Sequence, residues 1–138
     1  ILEFNRRNPA EIMPWIVVVI DEFADLILSL SRQQRAEFER QVNRLAATGR
    51  NVGIRLVIAT QRPTTDVITG TIKANIPARV SFRLPSQIDS RTVLDRPGAE
   101  NLLGKGDMLL LHNSTIQRLQ GYYATFEEFL DLLNQVGY

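Results

Sequence analysis

The strongest constraint on the fold is an uninterrupted apolar run at residues 15–20, which is rich in β-branched side chains. The run ends at two acidic residues, Asp21 and Glu22. A second run of the buried-strand type occupies residues 54–59 and is apolar except for Arg55. Runs like these are typical of strands buried on both faces of a parallel sheet, so we expect two such strands here.

A helix is predicted between the two strands, at residues 33–48. Ser31 and Gln34 form a capping-box pattern at its start, apolar residues then recur at helical spacing, and Gly49 supplies a stop. Strand, helix and strand in this order predict a right-handed parallel crossover. The fold class is therefore α/β.

The rest of the chain carries shorter elements. We expect a helix from a cap at Asp66 to residue 75, a strand at 78–84, a helix at 86–94, a short helical piece ending at 103, a strand at 107–112 with a hairpin partner at 117–124, and a closing helix at 126–136. No linker or repeat divides the sequence. Its 138 residues, 44% of them hydrophobic, fit one domain or a large part of one.

Composition excludes several kinds of site. The chain has no cysteine and one histidine, which rules out disulfide frameworks, thiolate metal sites and a histidine-built zinc site. The apolar runs are far shorter than the roughly 20 residues that cross a bilayer, so we expect no membrane contact from this segment. The net charge of +1 is smaller than is usual for a dedicated nucleic-acid-binding domain. The net charge therefore does not show whether the partner is a nucleic acid.

The acidic pair after the first strand matches the Walker B pattern of P-loop ATPases. The carboxyl end of a strand faces the ligand crevice of an open parallel sheet. Asp21 could hold Mg²⁺ there through water, and Glu22 could orient the water that attacks a phosphoryl group. The alternative is a pair of solvated or helix-capping carboxylates.

Polar residues also follow the second strand, and we expect them beside the acidic pair. Thr60 and Gln61 occupy the sensor position of such ATPases, where Gln61 can bond a γ-phosphate or its water and report the loss of that phosphate. The alternative is a plain turn closed by Thr60 and Pro63. A phosphate loop of the form G-x-x-x-x-G-K-[ST] does not occur, because Lys105 is followed by Gly106. We expect that loop upstream of Ile1.

Five strings, in their order and spacing, resemble the motor domain of the FtsK/SpoIIIE family of DNA translocases. They are residues 15–26 (WIVVVIDEFADL), 59–63 (ATQRP), 66–77 (DVITGTIKANIP), 88–95 (IDSRTVLD), and 98–104 (GAENLLG) followed by 106–109 (GDML). The resemblance implies a RecA-like P-loop NTPase core, a mostly parallel sheet flanked by helices. Residues 1–138 would then be a single partial domain without its N-terminal phosphate-loop portion.

The resemblance also implies residue roles and partners. Members form homohexameric rings around double-stranded DNA and hydrolyse ATP with Mg²⁺ between subunits. Arg50 is similar to the arginine that reaches a neighbour's nucleotide, while Arg62, Lys73 and Arg91 match residues that contact DNA phosphates in the channel. Gln87 departs from the pattern, which usually has lysine there, and this weakens the fourth backbone contact.

The sequence thus predicts a fragment of an ATP-driven double-stranded DNA translocase for chromosome segregation or DNA transfer. We expect the complete protein to be a cytoplasmic ATPase, which a segment outside these residues could tether to the inner membrane. We expect the isolated chain to be inactive. Two alternatives stay open: a related secretion-associated motor that moves protein, and a non-catalytic ring-assembly module. The basic set favours DNA, and retention of Asp21, Glu22 and Arg50 argues against lost catalysis.

Overall fold

The computed structural model describes residues 1–137, which fall into two compact units. The first unit runs from Ile1 to Pro77, and the second begins at Ala78. Each unit has its own cluster of buried apolar side chains. The prediction that both belong to one partial domain stays a prediction.

The first unit contains the predicted parallel crossover. Its elements are α1 (Leu2–Arg7), β1 (Ile16–Ile20), α2 (Phe23–Ser29), α3 (Arg32–Thr48), a 3₁₀ turn (Gly49–Val52), β2 (Ile54–Ile58) and α4 (Gly70–Asn75). The two strands pair in parallel, with Ile16 opposite Ile54 and Ile20 opposite Ile58. The predicted capping box of α3 is present, since Ser31 and Gln34 bond each other's backbone amides.

Only one face of this strand pair is covered within the described residues, so the prediction of strands buried on both faces is wrong here. Ile20, Leu56 and Ile58 pack against a core centred on Phe23 and Ile27 of α2. On the opposite face, Val17 and Val19 expose 62% and 63% of their surface, because the core formed with α2, α3 and α4 lies on the other side. The β-branched residues therefore predicted the two strands correctly, but they did not predict that one face of the strand pair is exposed.

The second unit is built on an antiparallel sheet. Its elements are β3 (Arg79–Ser81), α5 (Gln87–Leu94), a 3₁₀ turn (Ala99–Asn101), β4 (Asp107–His112), β5 (Thr115–Gln120) and α6 (Phe126–Gln135), with strand order β3-β4-β5. Its core is formed by Leu94, Ala99, Leu102, Leu109 and Leu111. The α/β class is confirmed, but parallel pairing among the described strands is confined to β1 and β2. β3 pairs antiparallel with β4, with Arg79 opposite Leu111.

Several boundaries differ from the expected ones. The first two helices were not expected at all, and the cap of α4 is Thr69 rather than Asp66, since the Thr69 hydroxyl accepts from the Ile72 amide. After α3 the chain forms a 3₁₀ turn. This turn ends at Gly53, which adopts a left-handed conformation with a φ of 85°. The hairpin partner of β4 begins at Thr115, two residues earlier than expected, because residues 113 and 114 close a tight turn with positive φ.

None of the helices formed by residues 1–137 is both long enough and apolar enough to cross a membrane.

Candidate functional site

The carboxyl ends of β1 and β2 form the candidate site. The parallel pairing continues past both strands, because the Ala59 amide donates to the Ile20 carbonyl at 2.8 Å and the Phe23 amide donates to the Ala59 carbonyl at 2.9 Å. These two hydrogen bonds place Glu22 directly beside Thr60. The proximity of the acidic pair and the sensor segment, expected from the sequence, is therefore observed for Glu22.

Glu22 receives three hydrogen bonds on its carboxylate. Its Oε1 accepts from the Thr60 hydroxyl at 2.5 Å and from the Ala24 amide at 3.1 Å. Its Oε2 accepts from the Gln61 amide at 2.9 Å. Because Ala24 lies in the first turn of α2, Glu22 is also the N-cap of that helix. The helix-capping alternative weighed from the sequence is thus part of the observed structure, and it fixes the side chain at the sheet edge.

The same contacts lower the pKa of Glu22 below its ordinary value of 4.5. The largest cause is the Thr60 hydroxyl, followed by the Gln61 amide, while partial burial acts in the opposite direction. Hydrogen bonds to the charged form favour that form. Glu22 is therefore ionised at neutral pH, and both of its carboxylate oxygens accept hydrogen bonds.

Asp21 is exposed at the end of β1. An exposed carboxylate is a hard oxygen ligand of the kind that fits a Mg²⁺ ion held mainly by water and phosphate oxygens. No cluster of three or more metal-ligating side chains occurs within residues 1–137. The donor set therefore fits a water-mediated contact to a magnesium–nucleotide complex and does not fit a metal cage built by this segment.

The loop after β2 is connected to the acidic segment at two further points. The Arg62 amide donates to the Thr60 hydroxyl oxygen at 3.1 Å. The Arg62 guanidinium lies 4.0 Å from the Asp25 carboxylate in α2, and both side chains are mostly exposed. Gln61 is exposed and takes part in the site through its backbone amide.

Arg50 lies in the exposed 3₁₀ turn between α3 and β2. Its carbonyl accepts a hydrogen bond from Nη1 of Arg55 at 3.1 Å, and the Arg55 guanidinium lies over the Trp15 ring at 4.6 Å from the centroid. Arg55 therefore fastens the Arg50 turn to the start of β1. This role of Arg55 was not predicted, although a basic side chain within a strand was a visible signal in the sequence.

The three residues assigned to DNA do not lie in one unit. Arg62 follows β2 and Lys73 lies in the last turn of α4, both in the first unit, whereas Arg91 is exposed in α5 of the second unit. Lys73 is half-buried. Their common DNA-facing role stays a prediction.

Comparison with known proteins decides the family. Residues 4–65 match the model of the FtsK/SpoIIIE family. The chain is 52% identical over 138 residues to "DNA translocase FtsK 2" of Neisseria meningitidis, which aligns 96% of this chain with 13% of that protein. It is 50% identical over 136 residues to "DNA translocase FtsK" of Listeria monocytogenes, with 97% and 17% covered. The chain belongs to the FtsK/SpoIIIE family. It spans less than one fifth of the length of these FtsK/SpoIIIE relatives.

Two solved structures show the fold of the chain. The pCW3 conjugation coupling protein TcpA, in its monomer form with ATPγS, superimposes with a TM-score of 0.83 at 31% identity, covering 97% of this chain and 40% of that one. The cytoplasmic domain of the Type VII secretion ATPase EccC from Thermomonospora curvata gives 0.78 at 26% identity, covering 99% and 16%. The P-loop ATPase fold predicted from the sequence is confirmed.

Proposed function

We propose that this chain is the part of an ATP-driven double-stranded DNA translocase that supplies the water-orienting carboxylate and the sensor. The observation that carries the proposal is the junction of Glu22 with Thr60 and Gln61 at the carboxyl edge of a parallel strand pair. Ligands of open α/β sheets bind at this edge. The relatives of about 50% identity carry the name DNA translocase, which supports DNA as the polymer that is moved; chromosome segregation or DNA transfer is the process that we propose.

The proposal assigns a role to each residue of the site. Glu22 orients the attacking water and takes its proton, because it is ionised and half-buried at the sheet edge. Asp21 holds Mg²⁺ through water, and the ion neutralises charge on the transferring phosphoryl group. Thr60 and Gln61 lie where the γ-phosphate of ATP would be sensed.

Assembly completes the proposed motor. In a closed homohexamer, Arg50 enters the nucleotide site of the neighbouring subunit, and its exposed turn suits this trans contact. Arg62, Lys73 and Arg91 face DNA phosphates in the channel. Three cations per subunit, repeated around a ring, would give a strongly positive channel although the chain's net charge is only +1.

A second candidate is a motor that moves protein. The observation in its favour is the TM-score of 0.78 to the Type VII secretion ATPase EccC over 99% of this chain. Arg62, Lys73 and Arg91 argue for DNA, since phosphate contacts by Lys and Arg give affinity without sequence reading.

The test is ATP hydrolysis with and without long duplex DNA. It compares the 138-residue chain with an extended form, defined as the chain lengthened upstream to include a phosphate-binding loop. DNA-stimulated hydrolysis by the extended form alone supports the proposal. Hydrolysis that DNA leaves unchanged favours the protein-moving motor, and absence of hydrolysis in both forms favours the non-catalytic assembly module.

A further inference from the structure

The hydroxyl of Thr60 links Glu22, the acidic residue of the site, to the loop that carries Arg62. It donates to Glu22 Oε1 at 2.5 Å and accepts from the Arg62 amide at 3.1 Å. A threonine hydroxyl has one proton to donate. In the observed conformation that proton is committed to Glu22, so Thr60 does not donate to any other group.

The Glu22 carboxylate is correspondingly well occupied. Thr60, Ala24 and Gln61 supply three donors to its two oxygens. An ionised carboxylate offers about four acceptor positions. A carboxylate that takes a proton from water must itself accept a hydrogen bond from that water, within about 2.6–3.2 Å. With three donors in place, about one acceptor position is left for such a water, and the carboxylate is held in the orientation that Thr60, Ala24 and Gln61 impose.

The contact between the Arg62 side chain and α2 is much weaker than these hydrogen bonds. Arg62 and Asp25 lie 4.0 Å apart, and their side chains are 64% and 69% exposed. Exposed ion pairs contribute little to stability and are screened by salt. A polyanion that binds Arg62 would compete directly with Asp25. Because the Arg62 amide is bonded to Thr60, movement of Arg62 would disturb the Thr60–Glu22 hydrogen bond.

We propose that Thr60 is a positioning residue that holds Glu22 in a resting conformation until the loop carrying Arg62 moves. The inference rests on the proposed function, in which Glu22 orients water and Arg62 contacts DNA phosphates. It gives the sensor segment a second task, because contact with the polymer is passed to the carboxylate through one hydroxyl group. Hydrolysis without DNA is thereby kept low.

The first experiment tests the hydrogen bonds themselves in the 138-residue chain. Thr60→Val keeps the branched shape and removes the hydroxyl, while Thr60→Ser keeps the hydroxyl. Thr65→Val makes the same chemical change at an exposed position of the same loop. Amide exchange measured by NMR should accelerate at Gln61 and Arg62 in Thr60→Val by about 2- to 10-fold, the range that one hydrogen bond supports. Thr60→Ser and Thr65→Val should exchange like the unsubstituted chain, and unchanged exchange in Thr60→Val overturns the inference.

The second experiment measures hydrolysis in the extended form. Thr60→Val should raise the DNA-free kcat by about 2- to 10-fold with little change in KM for ATP, and should reduce the stimulation by DNA. Thr60→Ser should restore the low DNA-free rate, and Thr65→Val should not alter it. If the unsubstituted form is stimulated by DNA but Thr60→Val lowers kcat or leaves it unchanged, the inference fails and the proposed function stands. If the unsubstituted form hydrolyses no ATP, both fail.

Discussion

Arg118 donates two hydrogen bonds to Asp107 across neighbouring strands of the antiparallel sheet. Nε lies 2.9 Å from Oδ1 and Nη2 lies 2.7 Å from Oδ2, so the contact is bidentate. Asp107 also accepts from the Leu103 amide at 2.7 Å and is only 5% exposed. This pair fixes the turn before β4 to β5, and such paired geometry is the strongest that arginine and a carboxylate form.

The pair predicts a loss of stability in acid. The Arg118 guanidinium, and next the Leu103 amide, lower the pKa of Asp107 from 3.8 to about 2. A carboxyl group with a lowered folded-state pKa stabilises the fold above its unfolded pKa and loses that contribution as the pH falls. The contribution of Asp107 should therefore be complete above about pH 4 and decline toward about pH 2.

Asp107→Asn tests this in urea unfolding at a series of pH values. The variant should be less stable than the parent chain at neutral pH, and the difference should shrink between about pH 4 and about pH 2. Asp131→Asn, at an exposed position in α6, provides the control and should show no such convergence. A difference that stays constant over this pH range would contradict the role of ionised Asp107.

Ser90 should be the most sensitive small polar residue of the second unit. It is fully buried, its hydroxyl donates to the Arg96 carbonyl at 2.9 Å, and it accepts from the Ala99 amide at 3.0 Å. Ser90→Ala removes the partner of the buried Ala99 amide and of the part-buried Arg96 carbonyl, and should cost about 1–3 kcal/mol of unfolding free energy. Ser29→Ala removes a single exposed contact and should stay within about 0.5 kcal/mol. Equal effects of the two substitutions in chemical denaturation would refute this assignment.

Glu22→Gln should separate binding from chemistry in the extended form. The amide keeps the shape and can still accept from Thr60, but it cannot take a proton from water. We expect kcat for ATP hydrolysis to fall by about 10²- to 10⁴-fold, with nucleotide binding and assembly retained. Glu11→Gln, at an exposed position before β1, is the control. Unchanged hydrolysis by Glu22→Gln would remove Glu22 from the chemistry.

Arg50 should act directly on ATP hydrolysis in the neighbouring subunit, and Arg55 should act through Arg50. In rings mixed with unsubstituted subunits, Arg50→Ala should abolish turnover at adjacent sites, since a trans arginine contributes about 10³-fold or more. Arg55→Ala should lower the same turnover by about 2- to 10-fold, because it removes one hydrogen bond to the Arg50 carbonyl. Arg44→Ala, on α3, serves as control. Activity that falls only in proportion to dilution would argue against a trans role.

The three DNA-assigned residues are tested through salt dependence. Replacing Arg62, Lys73 and Arg91 by Ala in the extended form should weaken duplex binding and flatten its dependence on salt. The log–log slope should fall by about 0.9 for each phosphate that the protein no longer neutralises. A matched triple replacement of arginines at positions 6, 32 and 40 removes the same charge elsewhere and should leave the slope steep. Equal slopes after the two triple replacements would favour the protein-moving motor.

The parts of the fold that could be predicted are those in which one local signal dominates. The apolar run before Asp21 and the run before Thr60 identified two parallel strands, and their pairing brought Glu22 to the sensor segment. The exposure of the second face of the β1–β2 pair could not be predicted, because a valine such as Val17 favours a strand whether or not another element covers it. The antiparallel pairing of β3 depends on contacts with β4, distant in sequence, which local pattern does not encode.

Other features were hidden for a different reason. Helix α2 has seven residues, too few for a periodic pattern, and it begins because Glu22 caps it. The capping bond and the proposed catalytic task use the same carboxylate, so the two alternatives that the sequence presented are compatible at one side chain. The hydrogen bond from Arg55 to the Arg50 carbonyl depends on the path of the 3₁₀ turn, which no residue pattern specifies.

The turn at Asn113 and Ser114 limits how this segment can change over evolution. Both residues have positive φ, and they join β4 to β5 with His112 opposite Thr115. Inserting one residue here would shift the pairing by one and move Ile116 off its present face, since strand side chains alternate. Substitution in this hairpin should therefore be tolerated far more readily than any change in its length.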